Sequence, residues 1–143
     1  MYKKILVALE NSPADKTMLP QIAQLAKILG SELLLLHVAD GWGARNFNQL
    51  KLRESDEMKD DRAYLEKIAA GLVEKGFSVS TMLALGSPPA EIVKVAEAEH
   101  CNLIAMTSHG HRFFGDIFHG STITEVRHRT HIPIFLVRAE KTK

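Results

Sequence analysis

The sequence predicts an α/β protein built on a doubly wound, five-stranded parallel sheet with helices on both faces. Short, uninterrupted apolar runs indicate strands that are buried on both sides, because each run is too short for a typical helix. The segments between them carry apolar residues every three to four positions, as amphipathic helices do. The resulting order, β-α-β-α-β-α-β-α-β, is typical of parallel strands joined by right-handed crossovers.

Four of the strands are predicted from apolar runs, at Ile5–Leu9, Leu33–Val38, Leu103–Met106 and Ile132–Val137. The segment from Phe77 to Leu85 differs, because its pattern has a period of two and includes serines. That pattern predicts an edge strand with one wetter face.

The first predicted helix lies between Ser12 and Gly30. Ser12 is a natural N-cap, Pro13 suits the first helical position and Asp15 completes a pattern similar to a capping box. Gly30 is the predicted C-terminal stop. Pro20 falls inside the apolar stripe and predicts a kink or a break there.

Three further helices follow. The second is predicted over about Ser55–Lys75, ended by Gly76, and the third after Ser87-Pro88-Pro89. The fourth begins near Gly120-Ser121 and ends before Pro133, and basic residues in its last turns complement the helix dipole.

The length of 143 residues suits one domain, 1–143, and 18 basic against 17 acidic side chains give a net charge of +1. No global field therefore favours nucleic acid or a membrane as a partner, and any anion site has to be built locally. Cys101 is the single cysteine, so no internal disulfide can form. With no signal-peptide core and no membrane-length apolar run, we predict a cytoplasmic protein.

Ligands of doubly wound sheets bind beyond the carboxyl ends of the strands, where the strand order reverses. The loops after Leu9, Val38 and Met106 are therefore the places to examine. Two interpretations of the segment Ala39–Leu50 stay open: a surface connection with a hydrophobic anchor, or a mobile flap over a ligand.

The segment Met106–Thr122 is the best phosphate-binding candidate, because it joins the end of a buried strand to the start of a helix. The amides of Gly120, Ser121 and Thr122 would form an anion site at that helix start. Four basic side chains precede them, at His109, His111, Arg112 and His119. The pattern is neither a Walker loop nor a GxGxxG turn, and glycines alone also serve as ordinary turn residues.

Over nearly its whole length the chain resembles the universal stress protein family. The resemblance rests on ILVALENSP, LLLLHV, GSPPAEIVKVAEAEHCNLIAM and the glycine of SHG followed by nine residues and GST. Family members that bind ATP carry G-x2-G-x9-G-[ST], and Gly110, Gly120 and Ser121 match it. Thr107 replaces the first glycine, and Glu10 replaces an aspartate that usually follows the first strand. One branch of the family lacks nucleotide binding.

The resemblance implies an adenine nucleotide alpha hydrolase-like fold with strand order 3-2-1-4-5 and a regulatory role in the stress response. It implies ATP or AMP as the ligand, with or without Mg²⁺. Adenine and ribose would lie near Ala8, Leu9 and Glu10, with the backbone of Val38 at the adenine edge. Ribose and phosphates would be held by Thr107, Gly110, His111, Arg112, Gly120, Ser121 and Thr122. A homodimer would form through the last strand, Pro133–Arg138.

Other functions remain open. A slow ATPase or phosphoryl transferase would use Asp40 or Asp116 as its nearest magnesium ligand. A module that binds partners without a nucleotide would use Trp42, Phe47, Phe113 and Phe114 as its surface, although Phe113 and Phe114 also suit ordinary core or loop packing. A zinc site would draw on His109, His111 and His119.

Three further predictions concern ordinary structure. His37 ends a buried strand and is expected to be hydrogen-bonded rather than catalytic, and Cys101 is expected to be a packing residue. The charged side chains around Asp61 predict a solvated helix face; they are Lys59, Asp60, Asp61, Arg62, Glu66 and Lys67.

Overall fold

In the computed structural model, which describes residues 1–39, 51–108 and 120–139, five strands alternate with four helices. Side chains at 51–57, 120 and 121 are outside that description. The strands are β1 (Lys4–Ala8), β2 (Glu32–Ala39), β3 (Val79–Leu85), β4 (Leu103–Ser108) and β5 (Ile134–Arg138). The helices are α1 (Ala14–Leu29), α2 (Lys51–Glu74), α3 (Pro88–Ala98) and α4 (Gly120–Arg129).

The strands form one sheet in the order β3-β2-β1-β4-β5, and every neighbouring pair is parallel. The predicted fold class and the order 3-2-1-4-5 are confirmed, and so is the edge position of β3. From β1 the chain first builds outward through β2 and β3, and then returns to place β4 on the other side. The order therefore reverses between β1 and β4.

Alternate strand residues face two helical layers, as the pleat of a strand requires. One core cluster joins Leu6 and Ile104 to Ile92 of α3 and Val126 of α4. The other joins Val7 to the buried side chains of α1 and α2, which include Met18, Ile22, Leu65 and Leu72. Helices thus cover both faces, and the central strands are mostly apolar because neither face meets water.

Helix α1 differs from the prediction at its start. It begins at Ala14, so the N-cap position falls on Pro13 rather than Ser12. Ser12 still accepts a hydrogen bond from the Ala14 amide at 3.3 Å, but Asp15 closes no capping box, because its carboxylate binds the preceding turn instead. The predicted stop is confirmed, since Gly30 adopts a left-handed φ of 68° and its amide donates to the carbonyl of Ala26.

The break predicted at Pro20 is wrong, because α1 is continuous from Ala14 to Leu29. Pro20 has no amide to donate to the carbonyl of Lys16. Both residues are exposed, so this carbonyl lies on the solvent side of the helix, where water can hydrogen-bond it.

The remaining boundaries differ by a few residues. Helix α2 begins at Lys51, earlier than the predicted Ser55, since Lys51–Glu54 contains no helix-breaking residue. Gly76 follows its end with a φ of 96°. Strand β5 begins at Ile134, because the Ile132 amide donates to the side chain of Thr130 instead of a strand.

Candidate functional site

The site lies where the strand order reverses, at the carboxyl ends of β1 and β4. The β1–β4 pairing ends at Val7 and Ala105, and Leu9 and Thr107 each lie two residues beyond that last pair. Leu9 is still held by the sheet, since its amide donates to the carbonyl of Leu36 at 2.8 Å. The position agrees with the general rule for ligand sites in doubly wound sheets.

Thr107 carries an unusual polar atom for a strand interior. Its side chain is fully buried, and its hydroxyl has no hydrogen-bond partner among the described residues. Thr107 lies on the same face of β4 as Ala105, toward the layer of α1 and α2. A buried hydroxyl without a partner costs about 1 to 3 kcal/mol. Such a group is therefore a candidate contact for a polar ligand atom.

Helix α4 begins at Gly120, as predicted, and packs against α3 and β4. It connects β4 to β5, which is parallel to β4, so its N-terminus lies at the carboxyl ends of the strands, as Thr107 does. The first amides of a helix have no intrahelical acceptor, and together with the helix dipole they favour an anion. Thr122 is buried in this first turn.

The turn after β1 is held by a buried carboxylate. Asp15 accepts hydrogen bonds from the amides of Glu10, at 3.0 Å, and Asn11, at 2.9 Å. It also accepts one from the hydroxyl of Tyr64 of α2, at 2.6 Å. Asn11 has a left-handed φ of 60°, a conformation that asparagine tolerates better than most residues. Asp15 thereby fixes a turn that the backbone alone would not favour.

The side chains of Glu10 and Tyr64 sit beside this carboxylate. The buried carboxylate of Glu10 accepts a hydrogen bond from the Ser12 hydroxyl at 2.9 Å. Burial, the hydrogen bond to Asp15 and the negative charges of Asp15 and Glu10 all raise the pKa of Tyr64. Tyr64 therefore keeps its proton and stays a donor.

A second contact joins this turn to β2 and α2. The Nδ1 atom of His37 donates to the carbonyl of Leu9 at 2.9 Å, and its Nε2 atom lies 3.5 Å from Oδ2 of Asp61. The other oxygen of Asp61 accepts a hydrogen bond from the side chain of Asn11 at 3.0 Å. The prediction of a hydrogen-bonded His37 is confirmed, whereas placing Asp61 on a solvated face is wrong. We call this contact the His37–Asp61 tie.

The tie perturbs both of its titrating groups. Burial alone lowers the pKa of His37, but the hydrogen bonds to Asp61 and Leu9, with the charges of Asp61 and Asp15, outweigh burial and raise it. For Asp61, burial raises the pKa, but hydrogen bonds from His37 and Asn11 and the charge of His37 lower it overall. Each group thus favours the charged form of the other.

Comparisons with known proteins agree with this fold. The sequence profile described as the universal stress protein family matches residues 1–138. This chain belongs to the universal stress protein family. Universal stress protein MJ0577 of Methanocaldococcus jannaschii is 29% identical over 162 residues, covering 99% of this chain and 98% of that protein. Its solved structure superimposes with a TM-score of 0.81 at 26% identity, covering 99% of each chain.

Two other solved universal stress proteins share the fold and contain a nucleotide. One, from Archaeoglobus fulgidus, is in complex with dAMP; it has a TM-score of 0.65 and 22% identity and covers 94% of this chain and 97% of its own. The other is in complex with cAMP; it has a TM-score of 0.68 and 14% identity and covers 97% of this chain and 98% of its own.

In this universal stress protein, the described members of the predicted site lie at one edge of the sheet. Ala8, Leu9 and Val38 are fully buried at the ends of β1 and β2, next to Glu10. Gly120 and Ser121 open α4. Gly110, His111 and Arg112 lie outside the described residues, as do Asp40, Asp116, the four aromatic residues of the partner-binding alternative and the three histidines of the zinc alternative.

The sequence prediction missed Asp15, Tyr64 and Asp61. Asp15 was interpreted as part of a helix cap, yet an aspartate just beyond a strand-ending turn is also placed to bind that turn's amides. The contacts of Tyr64 and Asp61 could not be predicted, because nothing in the sequence shows which side of α2 packs against β2.

The described residues offer little support for a metal site or a membrane span. Within residues 1–39, 51–108 and 120–139, no cluster of three His, Cys, Asp or Glu side chains is placed to hold a metal ion. No helix in these ranges has the length and apolar character needed to span a membrane. Cys101 is buried, and burial raises the pKa of its thiol to about 11 although the charge of Lys4 opposes this. It behaves as a packing residue, as predicted.

A groove of about 1060 Å³ lies at the amino ends of the strands, on the side of the sheet away from the candidate site. Lys27, Gly30, Glu32, Lys75 and Phe77 are among the residues that line it. These residues lie in the last turn of α1, in the turns after α1 and α2 or at the starts of the next strands, so the groove is remote from Thr107 and from the N-terminus of α4.

Proposed function

We propose that this universal stress protein binds an adenine nucleotide, ATP or AMP, at the carboxyl ends of β1 and β4 and acts as a regulatory protein in the stress response. The observation that carries the proposal is the buried Thr107 hydroxyl, which has no partner among the described residues. A ribose hydroxyl or a phosphate oxygen would satisfy it.

The N-terminus of α4 supports the same proposal independently. The backbone amides of Gly120, Ser121 and Thr122 in its first turn would bind phosphate oxygens, and the helix dipole favours the negative charge of the phosphates. Because the whole chain carries a net charge of only +1, this local field is the natural source of anion affinity. Gly110, His111 and Arg112 would complete the phosphate contacts, with or without Mg²⁺.

The adenine would lie against the ends of β1 and β2. Ala8, Leu9 and Val38 supply a buried apolar surface there, and the backbone of Val38 would contact the adenine edge. Glu10 would lie near the ribose. The two universal stress proteins of this fold that contain dAMP and cAMP support an adenine nucleotide as the ligand class.

Isothermal titration of nucleotide-stripped protein with ATP and with AMP tests the proposal. We expect saturable binding that Gly120→Val abolishes, because a branched side chain at the helix start would occupy the space of a phosphate. Gly71→Val is the matched control, since Gly71 lies within α2 and a side chain there meets no atom within 4 Å. Circular dichroism would verify that both variants fold. Folded, stripped wild-type protein that gave no saturable heat with either nucleotide would contradict the proposal.

We also propose that two copies of the chain pair through β5 to form a homodimer. β5 is an edge strand, and Leu136 within it is 48% exposed. An apolar edge strand presents unpaired backbone groups beside apolar side chains and is usually covered. A second copy of the same strand would cover both.

A further inference from the structure

The turn after β1 lies between two polar side chains on the same face of the sheet. The pairing of Ala8 with Leu36 places Leu9 beside His37 on one side. On the other side, Leu9 and Thr107 each lie two residues beyond the last β1–β4 pair. His37 and Thr107 both face the layer of α1 and α2. Each lies two positions along its strand from a member of that core cluster, Leu35 for His37 and Ala105 for Thr107. A movement of this turn would therefore reach the proposed nucleotide site directly.

His37 can hold the turn in a way that depends on its charge. Its Nδ1 atom faces a carbonyl, which only accepts, so Nδ1 carries a proton in both charge states. The second proton is added at Nε2, which faces the carboxylate of Asp61. Protonation therefore converts a weak contact into a charge-assisted hydrogen bond.

The surroundings of His37 determine what its protonation does. Asp61 of α2 contacts His37, and β1 contributes the carbonyl of Leu9. The negative charge of Asp15 of α1 also acts on His37, whereas the neighbour of His37 on β3 is Leu83. Asp61 also holds the side chain of Asn11, and Asp15 holds the amides of the same turn. The charge of His37 thus acts on both carboxylates that fix the turn.

We propose that His37 is a positioning residue whose protonation tightens the turn at Glu10 and Asn11, so that pH regulates nucleotide affinity at the neighbouring site. The regulatory part rests on the proposed nucleotide function. Affinity is higher when His37 is protonated and falls as it loses its proton. Because its pKa is raised from 6.5, this fall occurs on the alkaline side of the ordinary histidine range.

The first test needs no ligand. Nuclear magnetic resonance follows the imidazole of His37 and the amides of Glu10 and Asn11 through a pH titration. We expect both amides to shift with the midpoint of His37, and Asp61→Asn to lower that midpoint. Asp60→Asn is the matched control, since Asp60 is exposed on the same helix. If the chemical shifts of the Glu10 and Asn11 amides did not change as His37 titrates, the positioning role would be overturned.

The second test compares ATP affinity across pH in wild-type protein and His37→Asn. Asparagine retains a donor toward Leu9 but cannot be protonated toward Asp61. We expect wild-type affinity to fall about fivefold relative to the variant as pH rises, at the lower end of measured couplings between sites. The ratio of the wild-type affinity to the His37→Asn affinity at each pH removes the effect of the nucleotide's own ionisation, which is the same for both proteins. His131→Asn, at an exposed histidine, should follow the wild type.

A ratio that does not change with pH would overturn the regulatory role. Wild-type protein that binds no adenine nucleotide at any pH would instead contradict the proposed function and, with it, this regulation. The ligand-free titration would still decide whether His37 positions the turn.

Discussion

At the scale of single residues, two buried polar side chains have opposite energetic roles. The carboxylate of Asp15 accepts three hydrogen bonds, from Glu10, Asn11 and Tyr64, and so stabilises the turn after β1. The hydroxyl of Thr107 is equally buried but finds no partner in the described part of the chain. Asp15 thus contributes to the fold, whereas the Thr107 hydroxyl would gain a partner only in the proposed nucleotide complex.

Thr107→Val tests that distinction because valine keeps the shape and removes the hydroxyl. We expect the ligand-free protein to gain about 1 kcal/mol in its free energy of unfolding, since an unsatisfied buried group is lost. Nucleotide affinity should fall at the same time. Urea denaturation and calorimetric titration measure the two effects.

The matched control is Thr130→Val, which removes a hydroxyl bonded to Glu97 and to the amide of Ile132. It should reduce stability and leave nucleotide affinity unchanged. A Thr107→Val protein that is both less stable and unchanged in affinity would assign this hydroxyl to the fold.

Asp15→Ala should destabilise the protein strongly. The change leaves two backbone amides and a tyrosine hydroxyl without their acceptor, at about 1 to 3 kcal/mol for each group that water cannot reach. Urea denaturation should show a loss of at least about 2 kcal/mol, whereas Asp60→Ala, at an exposed site, should change stability little. Equal losses in the two variants would show that Asp15 does not hold the turn.

At the scale of elements, the sequence predicted the strands and helices well because their signals are local. Apolar runs identified the central strands, the period of two identified β3 as an edge, and Gly30 and Gly76 marked helix ends. The break predicted at Pro20 was wrong, since the effect of a proline in a helix depends on whether the carbonyl that it leaves unpaired faces water. The start of α4 at Gly120 was predicted, but the partners of Asp15 and His37 were not, because they depend on how α2 lies against β2.

The tie between β2 and α2 should make stability depend on pH at both ends. Folding raises the pKa of His37 above 6.5, so its contribution is complete below that value and is lost as pH rises through the folded value. Folding lowers the pKa of Asp61 below 3.8, so its contribution is present above that value and is lost as pH falls through the folded value.

Urea denaturation across pH measures this dependence. We expect His37→Asn to flatten the alkaline decline, and His131→Asn to leave it unchanged. A decline of the same size in His37→Asn and in the wild type would assign it to other groups.

At the scale of the whole molecule, the two edges of the sheet differ. β3 is an edge strand that includes the polar residues Ser80 and Thr81, whereas β5 is apolar from Ile134 to Val137. The sheet order places β5 opposite β3, so pairing through β5 would leave β3 free. The fold thus offers one edge suited to solvent and one suited to a second copy.

Leu136→Asp should convert the proposed dimer into a monomer, because a buried, unpaired carboxylate opposes pairing of two β5 strands. Leu85→Asp is the matched control, since Leu85 is 37% exposed on the other edge strand. Sedimentation equilibrium measures the mass of each. Wild-type protein that sediments as a monomer, or a dimer that survives Leu136→Asp, would contradict pairing through β5.

The central position of β1 has a consequence for how the chain is made on the ribosome. β1 is synthesised first, yet Lys4 exchanges hydrogen bonds with Asn102, and Ile5 pairs with Leu103, far along the chain. The side of β1 that pairs with β4 therefore stays unpaired until most of the polypeptide has emerged, although β1 is almost wholly apolar. Nascent chains that stop before β4 would expose that strand and should be the ones that ribosome-associated chaperones retain.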